Sequence, residues 1–260
     1  MIRVAVFGAC GKMGRILCGA IEDDPELDLV VAIDPSRSGT SLAGVLGRPD
    51  VEVTVSADAQ ALTDAGAQVA VDFTRPDAVL SNVRAAVERG VHVVVGTTGI
   101  TGESLRDIEA WLGDAPGVGV VVAPNFSIGA VLAQRLSEEA ARFFPAAEVV
   151  ELHHDQKLDS PSGTAAATAR RIAAARTEGW AGPEGGPFRG GEVEGIRVHS
   201  VRLPGLVAHQ EVIFGGLGQT LSIRHDTTDR ASFMPGVLLA IKEVGSRPGL
   251  TLGLEPLLDL

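Results

Sequence analysis

Residues 3–22 read Arg3-Val-Ala-Val-Phe-Gly8-Ala-Cys-Gly11-Lys-Met-Gly14-Arg-Ile-Leu-Cys-Gly-Ala-Ile-Glu22. A β-branched apolar run, three glycines and an apolar pattern at helical spacing predict strand, tight turn and helix. Without side chains, such a turn lets the backbone approach a pyrophosphate, and the helix N-terminus directs N–H groups and partial positive charge at it. The spacing Gly-x-x-Gly-x-x-Gly is a variant of the dinucleotide fingerprint, although glycines also serve plain strand-to-helix turns. Gly8, Ala9, Cys10, Gly11, Lys12, Met13 and Gly14 are therefore candidate cofactor contacts.

Outward from this unit, a second strand over Leu27–Ile33 ends in Asp34, twenty residues after Gly14. An acidic residue at that separation is where a ribose hydroxyl pair would be held. The alternative role of Asp34 is a turn residue before Pro35. Strands then alternate with helices: Val51–Ser56, a helix near Asp58–Asp64, Val69–Phe73, a helix over Pro76–Arg89, Val91–Val95, a helix over Thr101–Leu112, and Val118–Ala123. Continuous apolar strands alternating with helices predict an α/β fold with a Rossmann-like, doubly wound parallel sheet. Ligands in such sheets bind beyond the carboxyl ends of the strands. The stretches Asp72-Phe73-Thr74-Arg75, Gly96-Thr97-Thr98-Gly99 and Ala123-Pro124-Asn125-Phe126 follow predicted strands and should line the cofactor.

A long helix is expected over Ser127–Phe144, after which strands dominate: Ala147–His153, Ile196–Leu203, His209–Phe214 and Gln219–Asp226. This predicts a dinucleotide-binding domain over 1–126 and a smaller α+β domain with a mostly open sheet over 127–228, for substrate binding and oligomerisation. A final helix over Asp229–Val244, with the tail to Leu260 packed on it, should return to the first domain within the segment 229–260. The Gly-, Pro- and Glu-rich segment Thr177–Gly195 reads as a mobile surface loop of the second domain. Internal repeats are absent from the sequence.

The second domain carries Glu151-Leu-His153-His154-Asp-Gln-Lys157-Leu-Asp-Ser-Pro-Ser162-Gly163-Thr164-Ala165. Histidine exchanges a proton near neutral pH and lysine supplies a compact charge with three donors. The Ser162-Gly163-Thr164 helix start offers backbone N–H groups to a carboxylate or phosphate. Together these suit an acid/base site for an anion, against the plainer reading of a polar loop before a capped helix.

Composition narrows the class. The chain has 260 residues, 45% hydrophobic and 21% charged, with 32 glycines and a net charge of -11. This describes a globular chain of one large or two modest domains. Its acidity, without clustered Lys and Arg, argues against nucleic acid. Cys10 and Cys18 alone support neither a disulfide framework nor a metal site, and a reducing cytoplasm fits them. The sequence opens with no export signal, and its apolar runs are too short to span a bilayer, so no membrane partner is expected.

The chain resembles the dihydrodipicolinate reductase (4-hydroxy-tetrahydrodipicolinate reductase) family over essentially its whole length. The specific match is Glu151-Leu-His-His-x-x-Lys157-Leu-Asp-Ser-Pro-Ser-Gly-Thr164-Ala. Gly8 to Gly14, Gly96-Thr-Thr-Gly99, Pro124-Asn-Phe126-Ser, and Arg230 with Phe233 and Gly236 support it. The resemblance implies that His153 is the acid/base residue and Lys157 a second proton donor, with His154, Gly163 and Thr164 contacting substrate. It also implies homotetramers built through second-domain sheets. The chain departs from some relatives at Asp155 and Gln156, where those carry basic residues, which lessens the positive charge offered to a dicarboxylate.

The expected reaction is NADH- or NADPH-dependent reduction of a small cyclic imine dicarboxylate in the diaminopimelate route to lysine. Hydride would pass to an unsaturated carbon, with a proton supplied from the His153 and Lys157 region. Another two-domain amino-acid dehydrogenase and a non-catalytic dinucleotide-binding redox sensor are the alternatives. Thiohemiacetal chemistry is excluded because no cysteine follows Cys18.

Overall fold

The computed structural model describes residues 1–176 and 188–260. Its chain order is β1 (Ile2–Phe7), α1 (Lys12–Glu22), β2 (Leu27–Ile33), α2 (Leu42–Leu46), β3 (Val55–Ser56), α3 (Gln60–Asp64), β4 (Val69–Asp72), α4 (Val79–Val87), β5 (His92–Val95), α5 (Gly102–Asp114) and β6 (Gly119–Val122). There follow α6 (Ile128–Ala140), β7 (Ala146–His153), α7 (Gly163–Ala175), β8 (Gly191–Val193), β9 (Ile196–Arg202), β10 (Ala208–Gly216), β11 (Gln219–Thr227), α8 (Met234–Glu243) and β12 (Gly249–Leu252). These fall into two compact units, 1–126 with 233–260, and 127–232.

The first unit holds a seven-stranded sheet in the order β12-β6-β5-β4-β1-β2-β3, parallel throughout. Because side chains alternate along a strand, Ala5 and Phe7 join Val31, Ala70 and Val93 against Leu62, Val83 and Ile108 of α3, α4 and α5. Val4, Val6, Val71 and Val94 are equally buried on the other face. Covering both faces is what lets these strands be uniformly apolar. The order reverses beside β1, flanked by β2 and β4, and this switch point opens a crevice at the carboxyl ends.

Three expectations in this unit are corrected. Of Val51–Ser56 only Val55–Ser56 pairs as strand with β2. The peptide groups around it bond instead to the preceding loop, through Leu42 N–H to Val53 O at 2.9 Å and Val55 N–H to Thr40 O at 2.9 Å. The last helix is preceded by a 3₁₀ turn over Arg230–Phe233. After it the tail forms β12, a seventh strand pairing in parallel with β6. A Cβ on Gly119 would lie 2.2 Å from Val244 O and 2.5 Å from Arg247 O. Only glycine lets the returning backbone come this close.

The second unit holds a five-stranded mixed sheet in the order β11-β10-β7-β9-β8. β7 and β9 are parallel, and the other neighbours antiparallel. Ala147, Val149, Val198, Val212 and Phe214 face Ala165, Ala169 and Ile172 of α7 and Ala141 just past α6. Both helices of this unit therefore lie on one face of its sheet. Helix α6 stops at Ala140 rather than Phe144, because Pro145 and the restriction it places on Phe144 oppose continuation. Of the loop expected over Thr177–Gly195, residues 177–187 lie outside the described residues. Residues 191–193 form β8, paired with β9.

Candidate active site

The glycine turn of the first unit is built by backbone crowding. Gly8 has φ of +74°, and a Cβ there would lie 2.5 Å from Phe73 O. A Cβ on Gly14 would meet Gly8 O at 2.1 Å. A side chain at Gly8 would push the turn off the segment after β4, and one at Gly14 would separate α1 from the turn. Gly11 caps α1 without a side-chain hydrogen bond, so the helix's first donors are not taken by a cap. A turn stripped of Cβ atoms at a helix N-terminus fits a dinucleotide pyrophosphate.

Asp34 fills the turn role anticipated for it and anchors the glycine turn as well. One carboxylate oxygen accepts from Cys10 N–H at 3.1 Å, tying the glycine turn to β2. The other accepts from Ser36 N–H at 3.1 Å and Ser36 Oγ at 2.6 Å, capping the turn at Pro35. Burial, then the neighbouring Asp34 charge, pushes the Cys10 thiol up, and burial pushes Cys18 up to about 12. Both thiols therefore stay protonated at neutral pH.

At the carboxyl ends of β4 and β5, Asp72 is fully buried. Its Oδ1 accepts from Thr74 N–H at 3.0 Å, Thr74 Oγ1 at 2.7 Å and Thr97 Oγ1 at 2.6 Å. Asn82 Nδ2 donates to its Oδ2 at 2.8 Å. One carboxylate thus sets the stretches carrying Thr74 and Thr97. Gly96 is glycine because the Phe73 ring occupies its Cβ position, with Cε1 2.2 Å away. Phe73 meets Phe126 edge to face at 6.3 Å. Thr98 and Pro124 are exposed at this edge, Asn125 is half-buried and Ala123 is buried. The sequence-derived cofactor residues thus gather at the carboxyl edge of one sheet. Lys12 and Arg37 are exposed.

In the second unit, His153 ends β7 and its Nδ1 is bonded to a carboxylate oxygen of Glu151. Residues two apart on a strand share a face, and register places Ser200 and Arg202 of β9 opposite Glu151 and His153. Glu151 is fully buried. It also accepts from Arg202 Nη1 at 2.9 Å and Nη2 at 2.8 Å, and from Ser162 N–H at 3.3 Å. Burial alone pushes the Glu151 carboxyl up. Hydrogen bonds from His153, Arg202 and Ser200 outweigh burial and hold it down at about 2.

Past His153 the chain turns, with Lys157 N–H donating to His154 O at 3.2 Å. Lys157 Nζ reaches both oxygens of Asp159, at 2.7 and 2.8 Å. This ion pair is the main reason the Asp159 carboxyl sits below its usual range. Ser162 caps α7, its Oγ accepting from Ala165 N–H at 3.1 Å. Gly163 is exposed, and a Cβ there would meet nothing within 4 Å. Thr164 occupies the second helical position, its carbonyl accepting from Thr168 Oγ1 at 2.9 Å.

The fold brings His153, His154, Lys157, Ser162, Gly163 and Thr164 to one end of the second sheet. Glu151, Arg202 and Asn82 were not among the predicted site residues, and Asp72, expected to line the cofactor, is instead buried beneath the stretches it anchors. For Glu151 a signal existed: strand alternation puts it in phase with buried Ala147 and Val149, and a buried carboxylate requires a partner. Among the described residues no cluster of three or more His, Cys, Asp or Glu could hold a metal ion, and no helix is long and apolar enough to cross a membrane.

Comparison with known proteins bears on both units. The family model described as dihydrodipicolinate reductase, N-terminus, matches residues 2–126, and that described as dihydrodipicolinate reductase, C-terminus, matches residues 129–258. A 4-hydroxy-tetrahydrodipicolinate reductase of Nocardia farcinica is 49% identical over 266 residues, covering 100% of this chain and 99% of that protein. The enzyme of the same name from Streptomyces griseus is 48% identical, covering 100% and 98%. The dipicolinate-bound dihydrodipicolinate reductase of Paenisporosarcina sp. TG-14 superposes with a TM-score of 0.85 at 39% identity, covering 98% of this chain and 99% of that one. The chain belongs to the dihydrodipicolinate reductase family.

Proposed function

We infer that this chain reduces 4-hydroxy-tetrahydrodipicolinate to tetrahydrodipicolinate with NAD(P)H, in the diaminopimelate route to lysine. The observation that carries the reading is the assembly of His153, Lys157 and the α7 N-terminus around buried Glu151. A reduced nicotinamide supplies the hydride. His153 is the acid that delivers a proton to the developing negative charge, from the Nε2 side left open by the Nδ1 bond to Glu151. Lys157 exchanges its partner Asp159 for a substrate carboxylate and stands as second proton donor. Ser162, Gly163 and Thr164 present N–H groups and the threonine hydroxyl to the other carboxylate. The open space at Gly163 supports this, since no internal contact requires glycine there. His154 completes the substrate contacts. The dicarboxylate bound by the Paenisporosarcina relative is of the same chemical class.

Residues 1–126 with the returning C-terminal segment bind the dinucleotide, and the second unit binds substrate. Gly8 to Gly14 hold the pyrophosphate, and Asp34 the adenosine ribose. Phe73, Thr74, Gly96 to Thr98 and Ala123 to Phe126 hold the nicotinamide half. The Asp34 carboxylate repels a 2′-phosphate while Arg37 and Lys12 attract it, so both cofactors serve, NADH at least as well as NADPH. A hundredfold preference for NADPH in measured affinities would contradict this. The sheet face of the second unit opposite α6 and α7 carries Val150, Leu152 and Ile213, and pairing this face and the exposed sheet edges with other copies builds a cytoplasmic homotetramer. The reaction is tested by supplying the cyclic imine. NAD(P)H oxidation that depends on it supports the enzyme, whereas cofactor binding without turnover would favour a sensor.

A further inference from the structure

The geometry points to Glu151 and Arg202 as the positioning pair of the substrate site, one buried ion pair that fixes His153, the Lys157 turn and the α7 N-terminus together. This deepens the reading above and rests on His153 being the proton donor.

Arginine has five N–H donors in a rigid fork, and Arg202 spends them in three directions. Nη1 and Nη2 grip the two oxygens of Glu151. Nε donates to Lys157 O at 3.2 Å and Nη2 also to Asp159 O at 2.7 Å, holding the turn that presents Lys157. Nη1 additionally meets Val201 O at 2.8 Å. Glu151 in turn shares Oε2 between Arg202 and His153 Nδ1, and Oε1 between Arg202 and Ser162 N–H. The carboxylate is wholly buried and the guanidinium nearly so, at 0% and 19% side-chain exposure.

Three consequences follow from the chemistry. A carboxylate on Nδ1 keeps that nitrogen protonated and leaves Nε2 as the exchanging atom, the role an orienting carboxylate plays for any acid/base histidine. Arg202 neutralises Glu151, so the orienting charge persists at a buried position where an unpaired carboxylate would take up a proton. A lysine at 202 would carry the charge yet lack the fork that spans two carboxylate oxygens and two loop carbonyls. The charged groups facing His153 are Glu151 on its own strand, Arg202 on β9, and the Lys157–Asp159 pair on the following turn.

Full-length Glu151→Gln, Arg202→Lys and His153→Ala variants test the assignment, with kcat and KM for the imine followed across pH and NADH affinity measured separately. Glu151→Gln should lower kcat at least tenfold, leave NADH affinity within twofold, and displace the basic limb of kcat/KM, because the carboxylate that accepts from His153 Nδ1 is gone. Arg202→Lys should raise KM for the imine and lower kcat together. A purely structural pair would depress activity in proportion to folded protein and leave the limb in place, overturning the proposal. It also fails if Glu151→Gln keeps wild-type kcat and pH profile while His153→Ala is inactive. If His153→Ala itself keeps full turnover, the broader assignment of the catalytic centre is wrong instead. Should the variants not fold, nitrogen NMR of the native histidine decides: Nδ1–H at His153 at neutral pH is expected, and an Nε2–H tautomer refutes the pair.

Discussion

Asp72 offers the sharpest test of how the first unit holds its cofactor edge. Asp72→Ala strips an acceptor from four donors at a position with no exposure. The two threonine hydroxyls can turn to other acceptors. The Thr74 N–H keeps Thr97 Oγ1 as an acceptor at 2.8 Å, so the Asn82 amide is the donor left without its partner, at a cost of roughly 1–3 kcal/mol. Relief of the desolvated charge offsets part of this while the cavity adds to it, so a loss of about 2 kcal/mol is expected, a substantial share of a domain's roughly 5–15 kcal/mol. Asp72→Asn is milder. Asparagine keeps an acceptor for both threonines, and the Asn82 amide can rotate to present its oxygen, leaving about 1 kcal/mol for the lost charge assistance. Since the Thr74 and Thr97 stretches lose their shared anchor in the alanine variant, NADH affinity should fall about tenfold, equivalent to about 1.4 kcal/mol. Urea unfolding and NADH titration give both quantities. In a cycle with Thr97→Val the coupling should reach about 1–2 kcal/mol, as for bonded neighbours. An additive cycle, or an alanine variant that binds NADH normally, would refute the anchor.

Other outcomes follow from the same contacts. His153→Ala should lower turnover roughly 10²–10⁴-fold with NADH binding intact, Lys157→Ala should damage turnover and substrate binding together, and Thr164→Val should mainly raise KM; steady-state kinetics with a separate NADH titration checks all three. Gly14→Ala drives a Cβ to 2.1 Å from Gly8 O, so unfolding measurements should show a loss of about 1–3 kcal/mol and NADH titration a weakened complex. Gly19→Ala, in the same helix with nothing within 4 Å, should instead stabilise by up to about 1 kcal/mol, and equal effects at both positions would contradict the crowding argument. Acid should act in two windows. Burial holds the His92 ring below its ordinary range, and its Nδ1 accepts from Gly119 N–H at 2.9 Å, so the unfolded chain binds the extra proton first and stability declines as pH falls from about 6.5. Glu151, at about 2 folded against 4.5 unperturbed, contributes about 3 kcal/mol that is present above pH 4.5 and lost as pH falls toward 2. Denaturant unfolding at several pH values measures both windows, and a flat profile between pH 5 and pH 3 would count against the Glu151 network.

The alternation of strand and helix was legible because each strand of the first sheet is a short continuous apolar run, Val91–Val95 and Val118–Ala123 among them. Boundaries failed where tertiary contacts overrode local pattern. Val51–Thr54 has apolar residues enough for a strand, yet Val53 O accepts from Leu42 N–H and Thr54 bridges Ser41, and only Val55–Ser56 pairs with β2 before it ends at Ile33. Leu250–Leu252 is too brief and too close to Pro248 and Gly249 to announce itself. It becomes β12 because β6 offers a free edge and Gly119 lets the backbone close on it.

The two halves of the candidate site differed in legibility for a related physical reason. A glycine turn is local: the spacing of Gly8, Gly11 and Gly14 follows from chain geometry within one turn, so it shows in the sequence without knowledge of the fold. The candidate side chains on 153–164 likewise lie within one short stretch. What holds them is not. Arg202 meets Glu151 across 51 residues, and Asp72 meets Thr97 across 25, through strand register that the sequence does not print. A buried charge nonetheless leaves a trace. Glu151 follows buried Ala147 and Val149 in the inward phase of its strand, and a carboxylate there demands donors. Arg202 carries the same trace, standing in phase with buried Ile196 and Val198 of its own strand. Inward-phase charges on neighbouring strands are thus the sequence signature of positioning groups, as short motifs are of the groups they position.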